Sequence, residues 1–156
     1  IKYEKNECRR FWVKVLFDTS VLIAAFVTHH PNHPACFSWL ERAEQEQIQG
    51  VVSTHTLAEA YSVLTGTPNR SRISPSAARD LLTDLLQQFE AIPLVSEDYQ
   101  TAVSRMVTLN LPGGGIFDAL IAQAALKAKV DVVLTLNSKH FNRLGEEIAR
   151  MVQVPA

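Results

Sequence analysis

Cysteine is scarce in this sequence, and the two present, Cys8 and Cys36, form no CxxC pair and have no histidine at zinc-ligand spacing. That excludes a disulfide framework and a zinc module, and both residues are expected to be reduced thiols in a cytoplasmic protein. Long apolar runs are missing too: nothing approaches the roughly eighteen uninterrupted apolar residues of a spanning helix, so no membrane association is expected. Excess charge of either sign is also absent. A net charge of −1 excludes the global basicity of an indiscriminate nucleic-acid binder. A nucleic-acid substrate would have to be held by local patches, and three are available: Arg9, Arg10 and Lys14; Arg70 and Arg72; and Lys139, His140 and Arg143. Each reads first as solvated surface.

What is there is globular composition, 47% hydrophobic and 20% charged, in 156 residues. That length fits one domain able to bury a core without disulfide or metal staples. The first residues, IKYEKNECRRFW, lack the apolar core and small-residue cleavage site of a secretory signal. Residues 1–12 are therefore read as an N-terminal extension of unassigned origin, and 13–156 as the domain.

Val13 to Phe17 reads as a buried strand, followed by a short helix over 20–27. A helix is expected over 33–49, with Gly50 at its C-terminal stop and Trp39 on an amphipathic face. Val51 and Val52 form a short strand, and Ser53 or Thr54 can cap a helix running to about Thr65, packed through Leu57, Ala60, Tyr61 and Leu64. After the breaker-rich loop 66–76, helices are expected over 75–89, with Leu81, Leu82, Leu85 and Leu86 facing inward, and over 97–109. Between them AIPLV is an edge strand, because Pro93 cannot donate to a ladder. LPGGG precedes an Ala-rich helix apolar nearly all round and hence buried. Residues 131–135 form a strand, 138–144 a helical turn and 151–154 a last strand. Strands alternating with helices predict an α/β fold, a three-layer α/β/α sandwich with a mainly parallel central sheet.

In such a sheet ligands sit beyond the carboxyl ends of the strands. Asp18 follows VKVLF and Asn137 follows VVLTL, so two strands deliver polar groups to one rim. Glu59, about 160° round its helix from the packed stripe at 100° per residue, faces away from the core. Asp118 is a charge at the start of an otherwise apolar helix, directly after a glycine run. Each has a plainer explanation. Thr56 and Glu59 have capping-box spacing, and Asp18, Asp118 and Asn137 can each be a helix cap. Together, however, three carboxylates and an amide near one edge repel one another unless a cation joins them. A hard divalent ion such as Mg²⁺ is the natural occupant. Hydrolysis of a nucleic-acid backbone suits an all-oxygen site of this kind.

The segments VLFDTSVLIAAF, STHTLAEAYSVLT, GGGIFDALIAQAA and VLTLNSKHF, in this order over residues 13–141, make the chain similar to PIN-domain nucleases. It most resembles the VapC-type ribonuclease toxins of toxin–antitoxin pairs. The resemblance implies a metal-dependent endoribonuclease using Mg²⁺ or Mn²⁺, with Asp18, Glu59 and Asp118 as metal ligands and Asn137 completing the catalytic set. Many members have a fourth acid where Asn137 stands, and an amide there argues against a second tightly held ion. Thr19 and Thr135 are implied as accessory hydroxyls. An RNA substrate, a protein antitoxin and a homodimer are the implied partners.

Two other functions compete. The D-T-S after a buried strand is similar to the nucleophile motif of haloacid-dehalogenase-like phosphatases, but those carry a second Asp where Ser20 stands. A non-catalytic module, whose acidic edge binds metal or a partner without turnover, is the alternative from a different class. The histidines His29, His30 and His33 read as a polar turn, and neither His55 nor His140 reads as a general base.

Overall fold

The computed structural model describes residues 12–66, 68 and 71–156. Cys8, Arg9, Arg10, Arg70 and nearly all of the N-terminal extension lie outside the described residues.

Among the described residues five short strands, β1 (Lys14–Phe17), β2 (Gln49–Ser53), β3 (Glu90–Ile92), β4 (Val132–Leu134) and β5 (Val152–Gln153), form one sheet in the order β3-β2-β1-β4-β5. All four pairings are parallel, with Leu16 opposite Val51 on one side and Val133 on the other. Helices cover both faces, which is why the inner strands read as continuous apolar runs rather than as alternating ones. Alternation reappears in where the residues go. Val15, Phe17, Val52 and Leu134 pack into one core with α1 (Thr19–Phe26), α2 (His33–Glu44) and the end of α4 (Pro75–Leu85). Leu16, Val51 and Val133 pack into the other with α5 (Ser96–Thr108), α6 (Gly115–Ala128), α7 (Ser138–Asn142) and α8 (Glu146–Ala149). The sandwich thus has two separate cores. The remaining helix, α3 (Thr54–Gly66), leaves the carboxyl end of β2 and is started by Ser53, whose hydroxyl accepts from the Thr56 amide at 3.1 Å.

The helix expected to run to Gln49 stops at Glu44. Glu46 takes the left-handed conformation, φ 57°, that a glycine usually supplies. Its amide donates to the Ala43 carbonyl at 3.1 Å, and that of Gln47 to Arg42 at 2.8 Å, closing the helix without a glycine. Gly50 is instead a strand residue paired with Val15. Its missing side chain has a different reason: a Cβ there would lie 2.5 Å from the ring of Phe89. That ring meets Phe17 edge-on at 4.9 Å and is 4% exposed, so it has little room to retreat. Gly50→Ala is expected to cost about 1–3 kcal/mol of unfolding free energy through overpacking. Denaturant melts would read it as a lower midpoint; an unchanged midpoint would remove this account of Gly50.

Other boundaries shift by a few residues, and the 75–89 helix ends at Leu85, leaving Leu86 42% exposed. Tyr61, placed on the packed stripe of its helix, is 41% exposed; Thr56, Ala60 and Leu64 are the buried positions. Cys36 is a buried free thiol. Trp39 packs against the first core with the Arg42 guanidinium 4.1 Å above its ring.

Candidate active site

The sheet order reverses between β1 and β4, because β1 continues to β2 on one side while its other neighbour comes late in the chain. A crevice opens outside the carboxyl ends at such a switch point. Here it is a cleft of about 430 Å³ lined by Asp18, Thr19, Ser20, Glu59, Asp118 and Asn137, with Ile23, Val63 and Leu136 among its apolar walls.

Asp18 is fixed most tightly. Its own amide donates to the Leu134 carbonyl at 2.9 Å, extending the β1–β4 ladder by one step. One carboxylate oxygen accepts from the Thr19 amide at 2.8 Å, the arrangement of a helix cap. The other accepts from the Ser20 hydroxyl at 2.6 Å and from the Thr135 hydroxyl at 2.8 Å. Both hydroxyls are themselves oriented, since Ser20 Oγ accepts from the Leu136 amide at 3.1 Å and Thr135 Oγ1 from the Asn137 amide at 2.9 Å. The two loops that leave β1 and β4 are therefore laced together through one carboxylate. Ser20 is the residue that sequence reasoning missed; a serine at the start of a short helix carries no sign of a partner more than a hundred positions away.

Of the two expected accessory hydroxyls, Thr135 touches Asp18 and Thr19 does not. Thr19 serves Asp18 through its amide, while its hydroxyl donates to Thr56 Oγ1 at 3.2 Å, which in turn meets Ser53 Oγ at 3.1 Å. Thr56 is thus part of a buried hydroxyl chain joining α1 to α3. Glu59 bonds Nε2 of His55 at 2.8 Å, an i,i+4 pair on α3, rather than closing a capping box. Asp118 stands in the first turn of α6 with its carboxylate 3.4 Å from Nδ1 of His140 on α7. Asn137 precedes α7, and its side chain makes no cap.

The electrostatics separate these acids from a structural one. Burial drives the Asp18 pKa above the ordinary carboxylate value; the Ser20 and Thr135 hydroxyls pull it back, and the charge of Glu59 adds to the rise. Asp118 is raised as well, by burial and then by Asp18, against opposing pulls from His140 and Arg143. Asp98 on α5 is also buried, but Lys127 at 2.8 Å and the Val95 amide hold its carboxyl below the usual value. The cleft carboxylates sense one another, and among the described residues no lysine pairs with Asp18 or Asp118.

A second hollow of about 430 Å³ lies between α1, α2 and α4. Phe26, Phe37, Leu40, Leu81, Leu85 and Phe89 dominate its lining, and none of Asp18, Glu59, Asp118 and Asn137 lines it.

A family model described as PIN domain matches residues 15–147. The chain belongs to the PIN-domain family. This PIN domain is 34% identical over 116 residues to the ribonuclease VapC27 of Mycobacterium tuberculosis, spanning 74% of this chain and 79% of that protein. It is 32% identical over 111 residues to ribonuclease VapC40 of the same species, spanning 71% and 78%. Among solved structures, VapBC2 of Rickettsia felis bound to a promoter DNA fragment superposes with a TM-score of 0.66 at 18% identity, covering 92% of this chain and 100% of that one. M. tuberculosis VapC20, a sarcin-ricin loop cleaving toxin, gives 0.60 at 15% identity, covering 76% and 86%. At those identities the likeness is one of fold. The PIN domain's three-layer sandwich agrees with the α/β/α arrangement expected from the sequence, with its sheet wholly parallel.

Proposed function

We propose that this PIN domain is a divalent-metal-dependent endoribonuclease, the toxin of a toxin–antitoxin pair. The observation that carries the reading is that Asp18, Asp118 and Glu59 all line one open cleft at the sheet's switch point, two of them with raised pKa values. The relatives' names supply the substrate, RNA, for an acidic cleft of this kind.

The donor set fits Mg²⁺ or Mn²⁺: carboxylates, hydroxyls and an amide, all hard oxygens. Among the described residues no three His, Cys, Asp or Glu side chains are already drawn into a ready-made metal site. Glu59 is held by His55 and Asp118 faces His140, so the three carboxylates share a cleft without converging on a point. When bound, such an ion supplies positive charge to the phosphodiester and a water acidic enough to attack it. The chain's own part is to hold Asp18 rigidly through Ser20 and Thr135, to present Asp118 from the end of a buried helix, and to offer Asn137 as a neutral oxygen.

Of the three basic clusters, the late one stands beside the cleft. His140 faces Asp118, and Arg143 lies over the start of α6, where a Cβ on Gly115 would come within 2.6 Å of its guanidinium. These groups suit the phosphates flanking the cut. Lys14 is at the opposite end of β1, its ammonium donating to the Ala128 carbonyl at 3.0 Å. Arg72 is exposed on the loop before α4 and does not line the cleft.

A protein antitoxin is the proposed partner, supported by the VapBC assemblies among the structural neighbours and by the apolar hollow between α1, α2 and α4. A homodimer is supported by the exposed ridge of Val95, at the N-cap of α5, and Tyr99, Val103 and Val107 along the helix, spaced four residues apart.

The deciding experiment is cleavage of a panel of structured RNAs with and without EDTA, alongside Mn²⁺ binding by calorimetry. Chelation is expected to abolish cleavage, and Mn²⁺ or Mg²⁺ to restore it. Cleavage that survives EDTA would sink metal dependence, and Mn²⁺ binding without turnover on any RNA would favour the non-catalytic module instead.

A further inference from the structure

Phe117 directly precedes Asp118, and while Ala119, Leu120 and Ile121 after it are buried, Phe117 itself is 53% exposed. An exposed apolar side chain standing alone needs no explanation. This ring does not stand alone. The imidazole of His55 lies parallel to it, with centroids 5.4 Å apart and an angle of 5° between the planes. His55 is itself fixed by its 2.8 Å bond to Glu59. A carboxylate of the cleft therefore orients an imidazole, and the imidazole backs a phenyl ring more than half open to solvent. Burial of apolar area does not account for a ring left in this state, whereas an orienting stack with a free surface is what a planar ligand needs.

We propose that Phe117, backed by His55, is the platform on which an unpaired base of the RNA stacks beside the cleaved phosphodiester. The inference rests on the ribonuclease reading and deepens it. Single-stranded RNA is recognised by splaying bases onto aromatic side chains, and every base has a face to offer. Asp118 has both kinds of contact such a strand requires at hand: the ring of Phe117 next to it in α6, and the imidazole of His140 and the guanidinium of Arg143 in and after α7. Phe117 holds the base, and so places the adjoining phosphate over the acids; it takes no part in the bond cleavage.

The test compares binding of an oligoadenylate dodecamer with that of an abasic ribose-phosphate dodecamer, in EDTA, by fluorescence anisotropy. Wild type is expected to prefer oligoadenylate about tenfold, the scale of one stacked base. Phe117→Leu should lose that preference while keeping its abasic binding, its Mn²⁺ affinity and its melting temperature; Phe117→Trp should retain it. In an RNA carrying 2-aminopurine, stacking should quench the fluorescence with wild type and Phe117→Trp but not with Phe117→Leu. On a cleavable RNA, Phe117→Leu should raise KM about tenfold with kcat held. A Phe117→Leu protein that keeps the preference, or loses both oligomers alike, overturns the stacking role while wild-type cleavage leaves the ribonuclease reading standing. A wild type that neither binds nor cleaves RNA overturns both.

Discussion

Asp118→Asn is expected to lower RNA cleavage by about a thousandfold and, in metal-free buffer at neutral pH, to raise the melting temperature by about 2–4 °C. The two effects have one cause. Burial and the neighbouring Asp18 disfavour the charged carboxylate of Asp118, and His140 and Arg143 offset only part of this, so its pKa is raised. A group with a raised folded pKa stabilises the fold below its unfolded value, near 3.8, and that contribution is lost as pH rises through the folded value. At neutral pH the carboxylate is therefore a burden on the empty protein, and an amide relieves it. The same charge is what the proposed cation would require, so relief of the fold would remove the function. Asp18→Asn should lose as much activity without the thermal gain. Its carboxylate accepts the Thr19 amide and the Ser20 and Thr135 hydroxyls, and the last two already accept from Leu136 and Asn137. An amide nitrogen placed against those hydroxyls breaks the lacing between the two loops. Single-turnover cleavage and calorimetric melts of both variants decide the matter; an Asp118→Asn protein that cleaves normally, or melts below wild type, contradicts the assignment.

Asp18 was legible because a strand-end carboxylate between two apolar runs is conspicuous in one dimension, and Asp118 because a charge opens an otherwise apolar helix. Their joint position followed from strand–helix alternation, which fixes the end of a parallel sheet at which such residues emerge. Ser20 was not legible, because its value depends on β1 and β4 being neighbours, and nothing local announces that pairing. Gly50 was misread because a glycine after an amphipathic helix usually ends it, whereas here Glu46 adopts the left-handed turn and the glycine answers to Phe89. Tyr61 and Leu86 show the same limit from another side. A helical wheel gives the direction of a side chain, but only the neighbouring helix decides whether anything covers it. Glu59 combined both kinds of information: its outward direction was correct, and its bond to His55 required the fold.

Cleavage at limiting Mn²⁺ is expected to fall by about a hundredfold per pH unit on the acid side, beginning above the ordinary carboxylate range. Asp18 and Asp118 are both raised, and the charge of Asp18 is the second cause of the rise at Asp118. Asp118 therefore senses the charge of Asp18, and the active form is expected to be the one that has lost both protons. Below both values the logarithm of the rate climbs with a slope approaching two, where one unperturbed carboxylate would give a slope of one near pH 4. Cation binding favours the deprotonated pair, so metal concentration and acidity trade against each other: with two protons released per ion, a tenfold rise in free Mn²⁺ should move the acid limb down by about half a pH unit. In Asp118→Asn the residual rate should keep only the Asp18 titration, with a slope of one, because the second raised carboxyl of the cleft is gone. A wild-type profile of unit slope, or one indifferent to Mn²⁺, would mean that the two aspartates do not act together on one cation.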